Sequence, residues 1–267
     1  MRLKAAGISD VGLKRKLNED SYIISPDMGL YVIADGMGGH RAGEVASKIV
    51  VDTLTDYWIK MGKKENPSFI DPIEKDLPDK AQHLINSISL ANLIIHEAQK
   101  QPQYHRMGST VSALLADKNR IWLANVGDSP VYLFSGGRLT LISEEHSVEA
   151  EQKNMGFFDS MSLSGQMMKN VLTRALGLNE KVVSYITHIV PDPGDMLLIC
   201  SDGLTNYASE EAIKAILKDL SASIEQKVQG LVNAAIDGGG GDNITVILLE
   251  ILEEGKWTRF KNKLKIE

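Results

Sequence analysis

Three apolar segments of this chain run into an aspartate beside a glycine: LYVIADG at 30–36, IWLANVGD at 121–128 and MLLICSDG at 196–203. A fourth aspartate, Asp242, follows four glycines and stands just before the apolar run ITVILLEI. A carboxylate at the end of a buried strand loses much of its hydration, and several such groups brought together repel one another. A set of them must therefore bind cations or take up protons. Oxygen donors without clustered cysteines or histidines favour Mg²⁺ or Mn²⁺ over zinc. Glycine beside each aspartate lets the backbone turn sharply and can bring a main-chain carbonyl to an ion. Asp35, with Gly36, Gly38 and Gly39 close behind it, is the best candidate for a ligand shared between ions. One Asp-Gly after a strand is ordinary turn chemistry. Four such places point to a carboxylate-rich metal site without specifying a reaction.

Between these landmarks the pattern is one of hairpins and paired helices. Apolar runs at 21–25 and 30–34 are parted by Pro26, Asp27 and Gly29, which is hairpin chemistry. The spacing of Val45, Ile49 and Trp58 predicts a helix over about 43–58, and that of Leu84, Ile88, Ala91 and Ile95 a longer one over 79–100. Strands at 109–116, 120–125, 130–135 and 138–143 form a meander, with Gly136-Gly137 at one turn. Residues 144–170 lose clear periodicity but carry Phe157, Phe158 and four methionines, and they read as a flap with apolar anchors. Strands follow at 182–190, 195–200 and 244–251, with helices between them at about 209–219 and 223–236. Ser223 and Gln226 have capping-box spacing at the start of the second helix. Consecutive hairpins with helices grouped in pairs imply antiparallel sheets covered by helices rather than a parallel βαβ array. Residues 1–252 read as one domain, flap included, and 253–267 as a basic tail with Trp257, Phe260 and Leu264 on one helical face.

Composition narrows the function class. With 43% hydrophobic residues in 267, the chain can bury a large core. A formal charge of -6 disfavours a nucleic-acid partner. The single cysteine, Cys200, excludes an internal disulfide and fits a reducing compartment. It lies in an apolar strand and reads as a core residue. No apolar run reaches membrane-spanning length, and the first residues have no apolar stretch of signal-peptide length. A cytoplasmic protein is expected.

Beyond these points, an ordered series of blocks carries a resemblance: SDVGLKRKLNEDS at 9–21, ADGMGGHRAGEVAS at 34–47, MGSTVSALL at 107–115, ANVGDS at 124–129, NVLTRALG at 170–177, LLICSDGLTN at 197–206 and GGGGDNITVILL at 238–249. In these the chain closely resembles the type 2C class of metal-dependent protein phosphatases in its compact bacterial form. The resemblance implies an α+β fold in which a central antiparallel β-sandwich is flanked by helix pairs in α-β-β-α layers. It implies two Mg²⁺ or Mn²⁺ ions, with a third bound more weakly. Asp35 would bridge both principal ions, the Gly36 carbonyl would bind one, and Asp202 and Asp242 the other. Asp20 would reach a metal through water, Asp128 with Asp202 would hold the third ion, and Asn243 would support Asp242. The implied reaction is hydrolysis of phosphoserine and phosphothreonine in proteins by in-line attack of a hydroxide shared by two cations. Arg15 takes the position of the family's phosphate-binding arginine, whose planar fork suits two phosphate oxygens. His40 is placed to protonate the leaving oxygen or to order a water. Phosphoprotein substrates and an opposing serine/threonine kinase follow by the same likeness, and a monomer is expected.

The chain also departs from that pattern. Pro130 follows Gly-Asp-Ser where relatives commonly have arginine, and Glu145-His146-Ser147 replaces their usual Asp-His-Ser. Because the flap borders the cleft, an unusual substrate preference is expected. Other hydrolytic chemistries fail on the residues. A cysteine-dependent phosphatase needs arginine six residues after its cysteine, and Asn206 stands there. No aspartate has histidine three residues on, as an esterase built on Ser129 would want, and neither a His-Glu-x-x-His motif nor a phosphate loop is present. Two alternatives remain open at this point: a catalytically inactive binding module of the same fold, and a phosphatase of small phosphorylated metabolites. The histidines at 83, 96, 105, 146 and 188 are expected to be structural.

Overall fold

Alternation of burial along the strands decides the architecture. In β3 (Leu30–Met37), Leu30, Val32 and Ala34 face one apolar layer while Tyr31 and Ile33 face another. In β11 (Ile244–Leu252), Val246 and Leu248 point one way, and Ile247, Leu249 and Ile251 the other. Neither face of these strands is left to water, so each must sit between a second sheet and a layer of helices. The computed structural model describes residues 1–38, 42–65, 67–73, 76–154 and 171–253 and has this arrangement.

One sheet has the order β1 (Arg2–Asp10), β11, β10 (Met196–Cys200), β7 (Val131–Ser135) and β8 (Arg138–Leu141). The other runs β2 (Asp20–Ser25), β3, β5 (Val111–Asp117), β6 (Arg120–Val126) and β9 (Tyr185–Ile189), with the short β4 (Gly108–Ser109) paired to the end of β3. Every pairing is antiparallel. Tyr31, Ile33, Leu114 and Leu123 of the second sheet meet Leu197, Ile199, Ile247 and Leu249 of the first between the layers. Helices α1 (Ala42–Gly62) and α2 (Asp79–Ala98) cover the second sheet, placing Val50, Leu54, Leu84 and Ile88 on Val32, Ala113 and Leu115. Each such side chain contributes about 1.5–3 kcal/mol relative to exposure. The short α3 (Val148–Asn154) and the one-turn α4 (Asp202–Thr205) come next in the chain. Helices α5 (Glu210–Lys218) and α6 (Ile224–Asp237) then cover the first sheet through Ile213, Leu217, Val228 and Leu231. These are the α-β-β-α layers expected from the sequence.

Several local expectations hold in detail. The Ser223 hydroxyl accepts the Gln226 N–H, and the Gln226 side chain accepts the Ser223 N–H at 2.7 Å. Gly29 closes the β2–β3 hairpin at φ +66°, its N–H donating to the Pro26 carbonyl. Cys200 is fully buried. Four histidines have structural contacts: His83 with the Tyr57 hydroxyl, His96 with the Gly177 carbonyl, His146 with the Gly127 N–H, and His188 against the Trp122 ring.

The sequence did not announce β1. RLKAAGISD has no clean alternation and a glycine in its middle, yet it pairs with β11 along its whole length, from Arg2 opposite Leu252 to Asp10 opposite Ile244. Its partner rather than its own propensity makes it a strand. Within the span read as an aperiodic flap, residues 148–154 form α3, while 155–170, which carry the phenylalanines and methionines, lie outside the described residues. Most of the tail, 254–267, also lies outside them. Helix α1 extends beyond the expected end at 58, to Gly62. No helix among the described residues is long and apolar enough to cross a membrane.

Candidate metal centre

Sheet register brings the aspartates to one end of the sandwich. Asp20 and Asp35 are cross-strand partners on β2 and β3. Asp202 follows the last residue of β10 by two positions, and Asp242 precedes β11 by two. Because Cys200 pairs with Val246, the end of β10 and the start of β11 lie side by side. Asp128 follows β6, whose Val126 pairs with Val111, and the next residue back, Thr110, donates its N–H to the Asp35 carbonyl at 2.8 Å. The result is an open cleft of about 1090 Å³ lined by Arg15, Glu19, Asp35, Gly36, Asp128, Asp202 and Asp242. A second recess of about 730 Å³ begins at Asp128 and Asp202 and reaches Glu145 and Glu149.

Hydroxyl groups hold the carboxylates in place. One oxygen of Asp20 accepts the Thr245 hydroxyl at 2.6 Å and the Ser201 hydroxyl at 2.8 Å. The Thr110 hydroxyl accepts the Asp35 N–H at 3.0 Å and lies 2.7 Å from the Ser129 hydroxyl, tying the loops of Asp35 and Asp128 together. Asn206 donates to Asp202 at 3.0 Å. The Asn243 N–H donates to Asp242, while the Asn243 side chain donates to the carbonyls of Val11 and Leu17 and accepts the Glu19 N–H. That side chain therefore anchors the loop bearing Arg15. The guanidinium of Arg15, half exposed, reaches Asp242 at 2.8 Å. Gly36 is required by packing, since a Cβ there would overlap the Gly43 carbonyl at the start of α1.

The electrostatics are those of a site short of positive charge. Burial first, then Asp20, Asp202, Asp128 and Asp242, holds the Asp35 carboxyl well above the usual range. Burial pushes Asp20 up to about 6, against the pull of the Thr245 and Ser201 hydroxyls. Burial and then Asp242 push Asp202 up to about 6, and burial and then Asp202 push Asp128 up to about 7. The second oxygen of Asp20 and one oxygen of Glu19 are buried without a hydrogen-bond partner. Orphaned, mutually repelling carboxylate oxygens are the donor set that a hard divalent cation satisfies. Among the described residues, no three acidic, histidine or cysteine side chains stand close enough to enclose an ion by themselves.

The structure thus brings together Arg15, Asp20, Asp35, Gly36, Asp128, Asp202 and Asp242. His40 lies outside the described residues. Glu19 was not singled out from the sequence, although its position beside Asp20 was a usable signal. The hydroxyls of Ser201, Thr245, Thr110 and Ser129 were missed as well; each lies within three residues of an aspartate or pairs with one that does.

Residues 14–237 match the sequence model of the family described as protein phosphatase 2C. The serine/threonine phosphatase stp of Listeria welshimeri is 35% identical over 256 residues, covering 93% of this chain and 96% of that protein. The serine/threonine phosphatase of S. agalactiae has a similar structure, with a TM-score of 0.82 at 29% identity, covering 94% of this chain and all of that one (100%). The catalytic domain of the serine threonine protein phosphatase PstP, solved in complex with two manganese ions, aligns with a TM-score of 0.77 at 31% identity, covering 94% of this chain and 99% of that one.

Proposed function

The chain belongs to the protein phosphatase 2C family and is a metal-dependent serine/threonine protein phosphatase, and we propose that the aspartate cleft is where its phosphoprotein substrates are hydrolysed. One observation carries this reading: five aspartates from five separate chain segments converge on one end of the sandwich, four with carboxyls pushed up by burial and by one another.

In this proposal Asp35 would serve both principal ions, the Gly36 carbonyl would hold one and Asp202 and Asp242 the other, and Asp20 would meet a metal through water. Asp128 with Asp202 offers a third, weaker place. When bound, the ions neutralise the carboxylates and the phosphate and lower the pKa of water, which supplies the nucleophile at neutral pH. We propose Mg²⁺ or Mn²⁺, two per chain with a third more weakly held; the donors are hard oxygens, and the PstP neighbour carries two manganese ions.

The remaining roles belong to the protein. Arg15 presents two parallel N–H donors to phosphate oxygens, leaving Asp242 to the cation as substrate enters. The Asn243 side chain fixes the loop from which Arg15 extends, so the guanidinium arrives preorganised. The Ser201 and Thr245 hydroxyls hold one oxygen of Asp20 and favour its ionised form. His40 is proposed to give a proton to the departing serine or threonine oxygen. The open cleft admits a phosphorylated side chain on a protein surface, and an inactive module would be expected to have lost some of these carboxylates. Residues 1–252 are proposed to act as one catalytic domain in the cytoplasm, as a monomer opposing a serine/threonine kinase.

The test is phosphate release from a phosphothreonine peptide by metal-stripped protein, with Mn²⁺ or Mg²⁺ added back, beside Asp242→Ala. Activity that returns only with metal and collapses in the variant is expected. A folded, metal-loaded protein whose phosphate release is unchanged by Asp242→Ala would refute the site.

A further inference from the structure

Away from the catalytic cleft, one face of α2, the 69–72 segment and the segment entering β9 line a second kind of recess. Its walls are apolar at Phe69, Pro72, Ile85, Val182 and Val183. Two hydroxyls that line it, those of Ser89 and Ser184, are buried without any hydrogen-bond partner, and Ser89 is only 5% exposed. Buried hydroxyls in folded proteins are nearly always paired, so two unpaired hydroxyls on one recess offer hydrogen bonds to a polar group that enters it. The recess is also lined by one charge of each sign, Asp71 and Lys181. Neither has an ion-pair or hydrogen-bond partner among the described residues.

The recess is built rather than incidental. Asn86 on α2 accepts the Ile70 N–H at 2.7 Å and donates to the Ser68 carbonyl at 3.0 Å, and the Phe69 ring stacks on His83 at 4.7 Å. These contacts fix the outer wall to the helix. On the other side, Asn92 accepts the Gly177 N–H at 2.8 Å and donates to the carbonyls of Asn179 and Glu180.

From this combination we propose that the recess binds a free α-amino acid with an apolar side chain. Its ammonium meets Asp71, its carboxylate meets Lys181 and the two serine hydroxyls, and its side chain lies against Phe69, Ile85 and Val182. A fatty acid would leave Asp71 unmet, and an internal peptide residue would bring neither charge. The site has a route to the catalytic cleft. Leu178 lines that cleft, and three residues later Lys181 lines the recess, so an occupant braces a segment shared by both. This proposal does not rest on the catalytic reading, because its readout is binding.

Calorimetric titration of the full chain with L-leucine and L-phenylalanine tests it, alongside N-acetyl-leucine and leucinamide and the variants Lys181→Met and Ser89→Leu. Saturable binding of at least one amino acid is expected, weakened about tenfold or more by Lys181→Met and by removal of either ligand charge. Amide hydrogen exchange should slow in 67–73 and 181–184 on binding. Lys181 is exposed, so that variant keeps its fold even if Ser89→Leu does not. Absence of saturable binding up to about 10 mM overturns the proposal. So does binding that Lys181→Met leaves unchanged, equal binding of N-acetyl-leucine, or protection confined to the catalytic cleft.

Discussion

Replacing Asp128 by asparagine should stabilise the protein when metal is absent. Asp128 accepts no side-chain hydrogen bond among the described residues, and burial and Asp202 push its carboxyl up from 3.8 to about 7. A carboxyl whose pKa is raised on folding binds more protons folded than unfolded, so its contribution to stability falls as pH rises between the two values. Below about pH 4 the carboxyl is neutral in both states and the penalty is absent; above about pH 7 it is complete. The full displacement corresponds to about 4 kcal/mol, and since the side chain is partly exposed we discount this to about 2 kcal/mol for solvent screening. Asparagine keeps the shape, removes the charge and can donate to Asp202. For a chain of this size about 2 kcal/mol moves the midpoint by about 4–8 °C. Thermal denaturation of wild type and Asp128→Asn in EDTA, from pH 4 to 8, should show curves that coincide at the acid end and separate with rising pH. Added Mn²⁺ should close the gap by stabilising the wild type more. If Asp128→Asn melts at or below the wild type at pH 8 in EDTA, the account of the cleft as a site short of positive charge is wrong.

Other substitutions probe the supports. Thr245→Val removes one of two hydroxyl donors to Asp20 and should cost about 1.5–3 kcal/mol at pH 8, where Asp20 is ionised. Urea titration should find the cost reduced below about pH 6, where Asp20 becomes protonated. Asn243→Ala breaks three bonds that hold the 11–19 loop and should cost about 3 kcal/mol; in the metal-loaded enzyme it should raise KM for phosphopeptide more than it lowers kcat if Arg15 acts in binding. Gly203→Ala places a Cβ on the Asn243 carbonyl and should cost about 1–3 kcal/mol, seen as a lowered midpoint that metal only partly restores.

How far the sequence alone could reach is clear from particular residues. The layer architecture was legible because Tyr31 and Ile33 alternate with Val32 and Ala34, and β11 repeats the device, so strands buried on both faces read as continuous apolar runs ending at an aspartate. The carboxylates were legible by repetition: one Asp-Gly after a strand is ordinary turn chemistry, whereas four charges at the ends of apolar runs need cations or protons. β1 was not, because its strand character comes from its partner β11. The hydroxyls of Thr245, in β11, and Ser201, just past β10, were missed because a lone threonine or serine carries no signal of its partner. Only the register that sets β11 beside β10, and Asp20 within 2.6 Å of Thr245 from a segment 225 residues away, gives them a carboxylate to hold. The same reasoning separates the two recesses. The catalytic cleft is written in acidic residues at strand ends, which sequence spacing exposes. The recess on α2 is written in residues that sequence spacing does not mark, Ser89 and Ser184 being unremarkable until the fold sets both on one recess with Asp71 and Lys181.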